Sequence, residues 1–160
     1  MSPRAACRLE LLGFTQVYDY VAGKADWLAH GLPTEGEQAQ IPRAKDVLRR
    51  DAVTAHPAEP VGQVARRVAG SPYEFALVVT PDSTLLGRLH KAVLAGDPAA
   101  RAEQVLEAGP STVRADRPLA ELAERLGSRG QHTAVVTSPD GRVLGVVRRA
   151  DMEARLTGQH

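Results

Sequence analysis

The stretch "TAVVTSPDGRVLG", Thr133–Gly145, repeats the pattern of "FALVVTPDSTLLG", Phe75–Gly87, which lies 58 residues earlier. The same offset aligns residues 44–94 with residues 102–152 without a gap, and 14 of the 51 aligned pairs are identical. A register that is kept through two apolar runs and two turns indicates an internal duplication. We therefore expect one structural unit that is built twice.

Each copy predicts the same order of elements. A short amphipathic piece and an extended segment precede a proline, Pro60 or Pro118, which suits the first turn of a helix. The helix carries apolar residues at i, i+3, i+4 and i+7, and two apolar strands follow it, joined by a Pro-Asp turn. A last helix completes an α-β-α-β-β-α unit. Because about 50 residues bury too little surface to be stable alone, we predict an α/β (α+β) fold in which two pseudo-symmetric units pack sheet to sheet.

The second copy resembles the cystathionine β-synthase (CBS) domain, and the pair resembles its usual tandem form, the Bateman module. The resemblance is carried by Thr112-Val113, Pro118, the strand "TAVVT", the turn "PDG" and "GVVRRADM". It implies two repeats, at 44–97 and 98–157, with paired sheets and helices outside. It also implies a non-enzymatic regulatory protein that forms a homodimer through the repeats. The ligand implied is an adenosine-containing one (AMP, ADP, ATP or S-adenosylmethionine), bound between the repeats, with no required cofactor.

The ribose-binding motif of that family, Gly-h-x-Ser/Thr-x-x-Asp with h apolar, falls on the segment from Gly145 to Asp151. The resemblance implies that Asp151 accepts hydrogen bonds from ribose hydroxyls. The Ser/Thr position holds Arg148 instead. This residue either reaches a phosphate as a cation or blocks the pocket with its bulk, and we assign it to phosphate because a guanidinium pairs well with that group. The base pocket is assigned to Thr112, Val113, Ala134 and Val135. In the first copy the matching positions are His90 and Val93, and a valine cannot bind ribose hydroxyls.

The residues of this motif also have explanations that need no ligand. Asp151 falls at a helix start, where capping and the helix dipole favour an acid. Arg148 and Arg149 suit a solvated basic edge, and Thr112 suits a turn. These alternatives favour a second hypothesis, which is a protein-interaction or dimerisation module with inactive nucleotide sites.

Residues 1–36 predict a helix, a strand "TQVYDYV" and a second helix "KADWLAHGLP". The segment resembles the C-terminal tail of a rhodanese domain in "LGF", Trp27 and "GLP". In a rhodanese the catalytic cysteine lies in a loop, and the resemblance places that loop before Met1. Cys7 would lie on the helix that follows the loop, which is the wrong place for the nucleophile. We therefore expect no sulfur-transfer activity and no catalytic residues. Residues 37–43 predict a polar linker. We expect the segment to pack against the repeats or a second subunit through its aromatic residues Phe14, Tyr18, Tyr20 and Trp27.

Composition limits the classes of function. The net charge of the 160 residues is +1, which gives no argument for binding nucleic acid or a membrane surface. No apolar run reaches the roughly 18 residues that cross a bilayer, and the N-terminus lacks the apolar stretch of a signal peptide, so we expect a cytoplasmic protein. A single cysteine, and histidines without partners at metal-ligand spacing, predict neither a disulfide nor a metal site.

Overall fold

The computed structural model describes residues 3–30, 32–36 and 40–158, and it confirms a mixed α/β fold. Before the repeats come α1 (Pro3–Leu11) and α2 (Gly23–Ala29). The first copy contains a 3-10 helix (Ala44–Val47), β1 (Thr54–Ala55), α3 (Val61–Ala69), β2 (Phe75–Val79), β3 (Leu85–His90) and α4 (Lys91–Leu94). The second copy contains α5 (Ala102–Val105), β4 (Glu107–Ala108), β5 (Thr112–Arg114), α6 (Leu119–Ser128), β6 (Thr133–Thr137), β7 (Val143–Arg148) and α7 (Arg149–Thr157).

The strands form two sheets that are related by the duplication. One has the order β1-β2-β3-β4 and the other the order β5-β6-β7, and in each the first pair is parallel and the next is antiparallel. The two hairpin turns lie against each other. The Leu85 N–H donates to the Gly141 carbonyl at 3.1 Å, and the Val143 N–H donates to the Ser83 carbonyl at 2.9 Å. Because the 58-residue offset converts one of these bonds into the other, the copies face each other with pseudo-twofold symmetry.

Three apolar clusters hold the fold together. The first lies between the two sheets, where Phe75 and Leu77 of β2 share a cluster with Val135 of β6 and Val146 of β7. This arrangement confirms the predicted sheet-to-sheet packing. The other two clusters each lie between a sheet and its helices. Successive side chains of a strand point to opposite faces of the sheet, so a strand that packs on the other sheet with one face packs on helices with the other. The buried helix residues of these two clusters are Val64 and Val68 in one, and Leu119, Leu122 and Leu126 in the other.

The first segment of each copy packs into the core of the other copy. The 3-10 helix buries Ala44 in the cluster of the second copy, and α5 buries Ala102 in the cluster of the first. The chain that follows each of them pairs with the last strand of the opposite copy. We call residues 44–49 and 102–108 the exchanged segments. Each core therefore contains residues from both copies, so a core in space does not coincide with a repeat in the sequence.

Two glycines leave room for the exchanged segments. Gly145 has a φ of +151°, and a Cβ there would lie 2.1 Å from the Arg49 carbonyl oxygen. At Gly87, the equivalent residue of the first copy, a Cβ would lie 2.6 Å from the Glu107 carbonyl oxygen. Only glycine permits main chains to approach this closely. The glycine that both copies contain is thus required by the exchange.

The N-terminal segment differs from its prediction. Helices α1 and α2 form, but the predicted strand at residues 15–21 is wrong, because no strand pairing is formed there. A strand needs a neighbour for its main-chain hydrogen bonds, and these residues have none in the described sheets. Phe14 is 60% exposed and Tyr18 is 80% exposed. These two aromatic residues therefore do not pack against the repeats.

Helix α2 makes the buried contacts of the N-terminal segment. Tyr20 and Trp27 contact each other edge to face, with ring centroids 5.2 Å apart. Leu28 of α2 is buried, so this helix is the part of the segment with an apolar anchor. Within the predicted linker at 37–43, residues 37–39 lie outside the described part of the chain.

Candidate functional site

Asp151 lies in the first turn of α7, directly after β7, with 22% of its side chain exposed. Its carboxylate accepts four hydrogen bonds from two arginines. Arg49 donates from Nε at 2.5 Å and from Nη2 at 2.9 Å, and Arg148 donates from Nε at 3.0 Å and from Nη2 at 3.3 Å. Each carboxylate oxygen accepts one bond from each arginine. A carboxylate has roughly four lone-pair positions, so Asp151 has no acceptor position left over.

The two arginines hold the pKa of Asp151 well below its usual range. The hydrogen bonds from Arg49 contribute most and those from Arg148 next, while burial acts in the opposite direction. Asp151 is therefore ionised at every physiological pH. No side-chain cap hydrogen bond forms at the start of α7, so the carboxylate is used for ion pairing, although an acid in a first turn also stabilises a helix.

Arg49 reaches Asp151 because it ends an exchanged segment. It makes two main-chain hydrogen bonds of 2.8 Å with β7, which fix the start of its side chain beside α7. The equivalent residue of the other exchanged segment is Glu107, which crosses β3 of the first copy; its carboxylate contacts His90 and lies 3.5 Å from Arg88 Nη2. The same geometry thus carries opposite charges in the two copies. Our sequence prediction missed Arg49, because it lies 102 residues from Asp151 and nothing local marks the pair.

Tyr73, in the loop before β2, belongs to the same site. It is 4% exposed, and its hydroxyl donates to Asp51 Oδ1 at 2.5 Å. Burial, and then the hydrogen bond to Asp51, raises the pKa of Tyr73 to about 12. Arg148 and Arg49 oppose this rise, so both cations lie within electrostatic range of the hydroxyl. We call Arg49, Asp51, Tyr73, Arg148 and Asp151 the Asp151 cluster.

A cavity of about 590 Å³ opens beside Tyr73. Its walls come from residues 72–75, from the end of β3 with the start of α4, and from residues 130–133. Since the first and third of these are equivalent in the duplication, we call it the interrepeat cavity. Glu74 lines it and accepts a bond of 2.5 Å from Lys91. The basic and imidazole side chains of its lining are Arg88, His90, Lys91 and His132.

One of the five residues of the Asp151 cluster lines the interrepeat cavity, and the other four do not. Tyr73 belongs to both. Thr133, which lines the cavity, is the register partner of Arg148 in the pairing of β6 with β7. The His132 carbonyl accepts a hydrogen bond of 2.9 Å from the Arg149 N–H. The predicted ligand residues Arg148 and Asp151 therefore lie next to residues that line the basic cavity, and their own side chains do not line it.

The structure does not bring the predicted base-pocket residues into this site. Thr112 and Val135 are register partners in the pairing of β5 with β6. Val113 and Ala134 are buried in the cluster that faces the helices, whereas Val135 is buried between the sheets. The four side chains therefore lie on opposite faces of one sheet, and none of them lines the interrepeat cavity.

Residues 102–157 match the family model of the CBS domain. The matched segment does not include residues 1–36, whose resemblance to a rhodanese tail stays a prediction. A search of curated protein sequences finds no match to this chain.

Solved structures share the fold of the whole repeat region. The cytosolic domain of the Mg²⁺ channel MgtE in complex with ATP matches with a TM-score of 0.64 and 20% identity, over 74% of this chain and 51% of that one. The CBS domain pair of protein MJ0100, in complex with 5′-methylthioadenosine and S-adenosyl-L-methionine, matches with a TM-score of 0.62 and 20% identity. That match covers 75% of this chain and 99% of the MJ0100 chain. The CBS domains of a transcriptional regulator from Streptococcus pneumoniae match with a TM-score of 0.65 and 15% identity, over 72% of this chain and 99% of that one. This chain thus spans about half of the MgtE domain, and its fold is that of a tandem CBS pair.

Two features are absent from the described residues. None of their helices is both long and apolar enough to cross a bilayer. They also contain no group of three or more His, Cys, Asp or Glu side chains that could hold a metal ion.

Proposed function

We propose that this protein is a non-enzymatic regulatory CBS pair that binds an adenosine-containing ligand between its repeats. Two proteins of the same fold support the class of ligand: the MgtE domain was solved with ATP, and the MJ0100 pair with 5′-methylthioadenosine and S-adenosyl-L-methionine. The proposal covers AMP, ADP, ATP and S-adenosylmethionine. It also includes a homodimer formed through the CBS repeats and a cytoplasmic location.

The interrepeat cavity is the observation that carries this proposal. Its volume of about 590 Å³ falls within the roughly 300–1,000 Å³ of small-molecule sites. Equivalent loops of both repeats, 72–75 and 130–133, form its walls, so a ligand there contacts both repeats. Arg88 and Lys91 supply positive charge for an anionic group of the ligand.

We assign Asp151 and Arg148 the roles that the sequence motif gives them. Asp151 accepts hydrogen bonds from the ribose hydroxyls, and Arg148 binds phosphate. The ligand then extends from the cavity past Tyr73, because neither of these two residues lines the cavity. A ligand that contacts both repeats favours one packing of the sheets over others, and binding therefore shifts the population of conformations. A protein with no catalytic residues can signal the level of its ligand to a partner in this way.

Isothermal titration calorimetry with AMP, ATP and S-adenosylmethionine tests the proposal. The informative variant is Asp151→Asn, and its matched control is Asp82→Asn, which removes an exposed acid from the turn between β2 and β3. We expect saturable binding to the wild type and to the control, and a loss of about tenfold or more in Asp151→Asn, since hydrogen bonds to a charged group contribute about 1.5–3 kcal/mol. The absence of both binding heat and a melting-temperature shift with all three ligands would contradict the proposal.

A second candidate function is a protein-interaction or dimerisation module with inactive nucleotide sites. It is favoured by the saturated carboxylate of Asp151 and by an exposed apolar surface on the N-terminal segment. That surface consists of Leu11, Leu12, Phe14, Tyr18 and Val21. Light scattering over a concentration range tests this candidate, which predicts a dimer that Tyr18→Ser weakens and no response to any adenosine ligand.

A further inference from the structure

The saturated carboxylate of Asp151 restricts which ligands the proposed site can accept. Both oxygens already accept one bond from Arg49 and one from Arg148, at 2.5–3.3 Å. A ribose diol needs the same lone pairs, because each hydroxyl must donate to a carboxylate oxygen. A ligand that uses Asp151 must therefore displace one of the two arginines.

Arg49 is the more exposed and less locally fixed of the two arginines, although its hydrogen bonds to Asp151 are the shorter ones. Its side chain is 41% exposed, against 29% for Arg148. Arg148 lies three residues from Asp151 on the same turn of chain, so its position is set locally. Arg49 comes from an exchanged segment and contacts Asp151 only through its extended side chain.

We infer that Arg49 competes internally for Asp151 and thereby selects a ligand that carries both a ribose diol and a phosphate. The inference rests on the proposed function and narrows its ligand class. A diol alone replaces charge-assisted bonds by weaker ones and leaves a guanidinium without its anion. A phosphate on the same molecule gives the released Arg49 a new bidentate partner, together with Arg148. Adenosine and 5′-methylthioadenosine lack this group, and S-adenosylmethionine brings a cationic sulfonium instead.

Titration of adenosine and AMP into three proteins tests this inference. The proteins are the wild type, Arg49→Gln, and the control Arg66→Gln, which removes an exposed arginine from α3. For the wild type we expect AMP to bind at least about tenfold more tightly than adenosine, the ratio that one charge-assisted hydrogen bond gives. In Arg49→Gln, adenosine should bind more tightly than it does to the wild type and AMP less tightly, so that the ratio falls several-fold. Arg66→Gln should keep the wild-type ratio.

Three outcomes overturn the inference, and they are distinguishable. Equal affinity of the wild type for adenosine and AMP, or an unchanged ratio in Arg49→Gln, removes Arg49 from specificity while the proposed function stands. No binding of adenosine, AMP, ATP or S-adenosylmethionine to the wild type or to Arg49→Gln removes the proposed function as well, whereas binding of S-adenosylmethionine without AMP overturns only the inference. If Arg49→Gln does not fold, Arg49→Lys serves in its place. The lysine keeps the charge but loses the two-nitrogen contact with Asp151, so adenosine should again gain affinity relative to AMP.

Discussion

The Gly145→Ala substitution tests the close crossing of an exchanged segment over β7. A Cβ at this residue would lie 2.1 Å from the Arg49 carbonyl oxygen and 3.0 Å from its carbonyl carbon. Ordinary van der Waals contact begins at 3.4 Å, so the crossing chain must move away by roughly 1 Å in a close-packed interior. The obstructing atoms are main chain, which cannot rotate aside as a long side chain can.

That movement has a calculable effect on the free energy of unfolding. It breaks the two main-chain hydrogen bonds of 2.8 Å between Arg49 and Val146. Each contributes about 1 kcal/mol, and the strain of an overpacked site adds about 1–3 kcal/mol. We therefore expect Gly145→Ala to lose about 3–5 kcal/mol of stability. The shift also withdraws Arg49 from Asp151.

Urea unfolding followed by circular dichroism measures this loss. The control is Gly127→Ala in α6, where a Cβ would meet no neighbour closer than 3.8 Å. There alanine should raise stability by about 0.5–1 kcal/mol through its higher helix propensity. A Gly145→Ala protein that unfolds within about 0.5 kcal/mol of the wild type would refute the crossing, and with it the placement of Arg49 beside Asp151.

Three further predictions concern stability. The pKa of Tyr73 is raised from 10.0 to about 12; the free energy of unfolding should therefore fall by about 2–3 kcal/mol between those pH values, and Tyr73→Phe should abolish this fall in urea titrations. Because the pKa of Asp151 is lowered, its ion pairs stabilise fully above its ordinary 3.8 and are lost as pH falls further; in acid melts, Asp151→Asn should lack this component. Leu28→Ala, which removes a buried side chain, should lower the free energy of unfolding by about 2–4 kcal/mol in thermal unfolding. Leu12→Ala, which removes an exposed side chain, should lower it by less than about 0.5 kcal/mol.

The duplication made most of the fold predictable, because its signals are local. The spacing of Leu119, Leu122 and Leu126 fixes one face of a single helix, and that face is buried. The Asp140-Gly141 pair predicted a tight turn, and Gly141 has the positive φ, +86°, that such a turn uses. The same apolar and polar pattern also occurs in both copies at one offset, and such a recurrence is not expected by chance.

The contacts of the candidate site were less predictable, because they depend on chain that is distant in sequence. Nothing near Arg49 distinguishes it from Arg50, and only the crossing over Gly145 places it beside Asp151. Alternation at residues 15–21 suggests a strand, but a sequence pattern cannot supply the neighbouring strand that its hydrogen bonds need. Likewise, the β-propensity of Val113 says nothing about which face of its strand meets a helix.

The exchanged segments make each copy depend on its twin for completion. A peptide ending at residue 97 lacks Ala102 and the strand β4, and a peptide starting at residue 98 lacks Ala44 and Arg49. Neither fragment can close its own interior, so we expect each to be unstructured alone and the mixture to regain the native circular dichroism spectrum by complementation. For the same reason, deleting either half of the chain exposes the core of the half that remains.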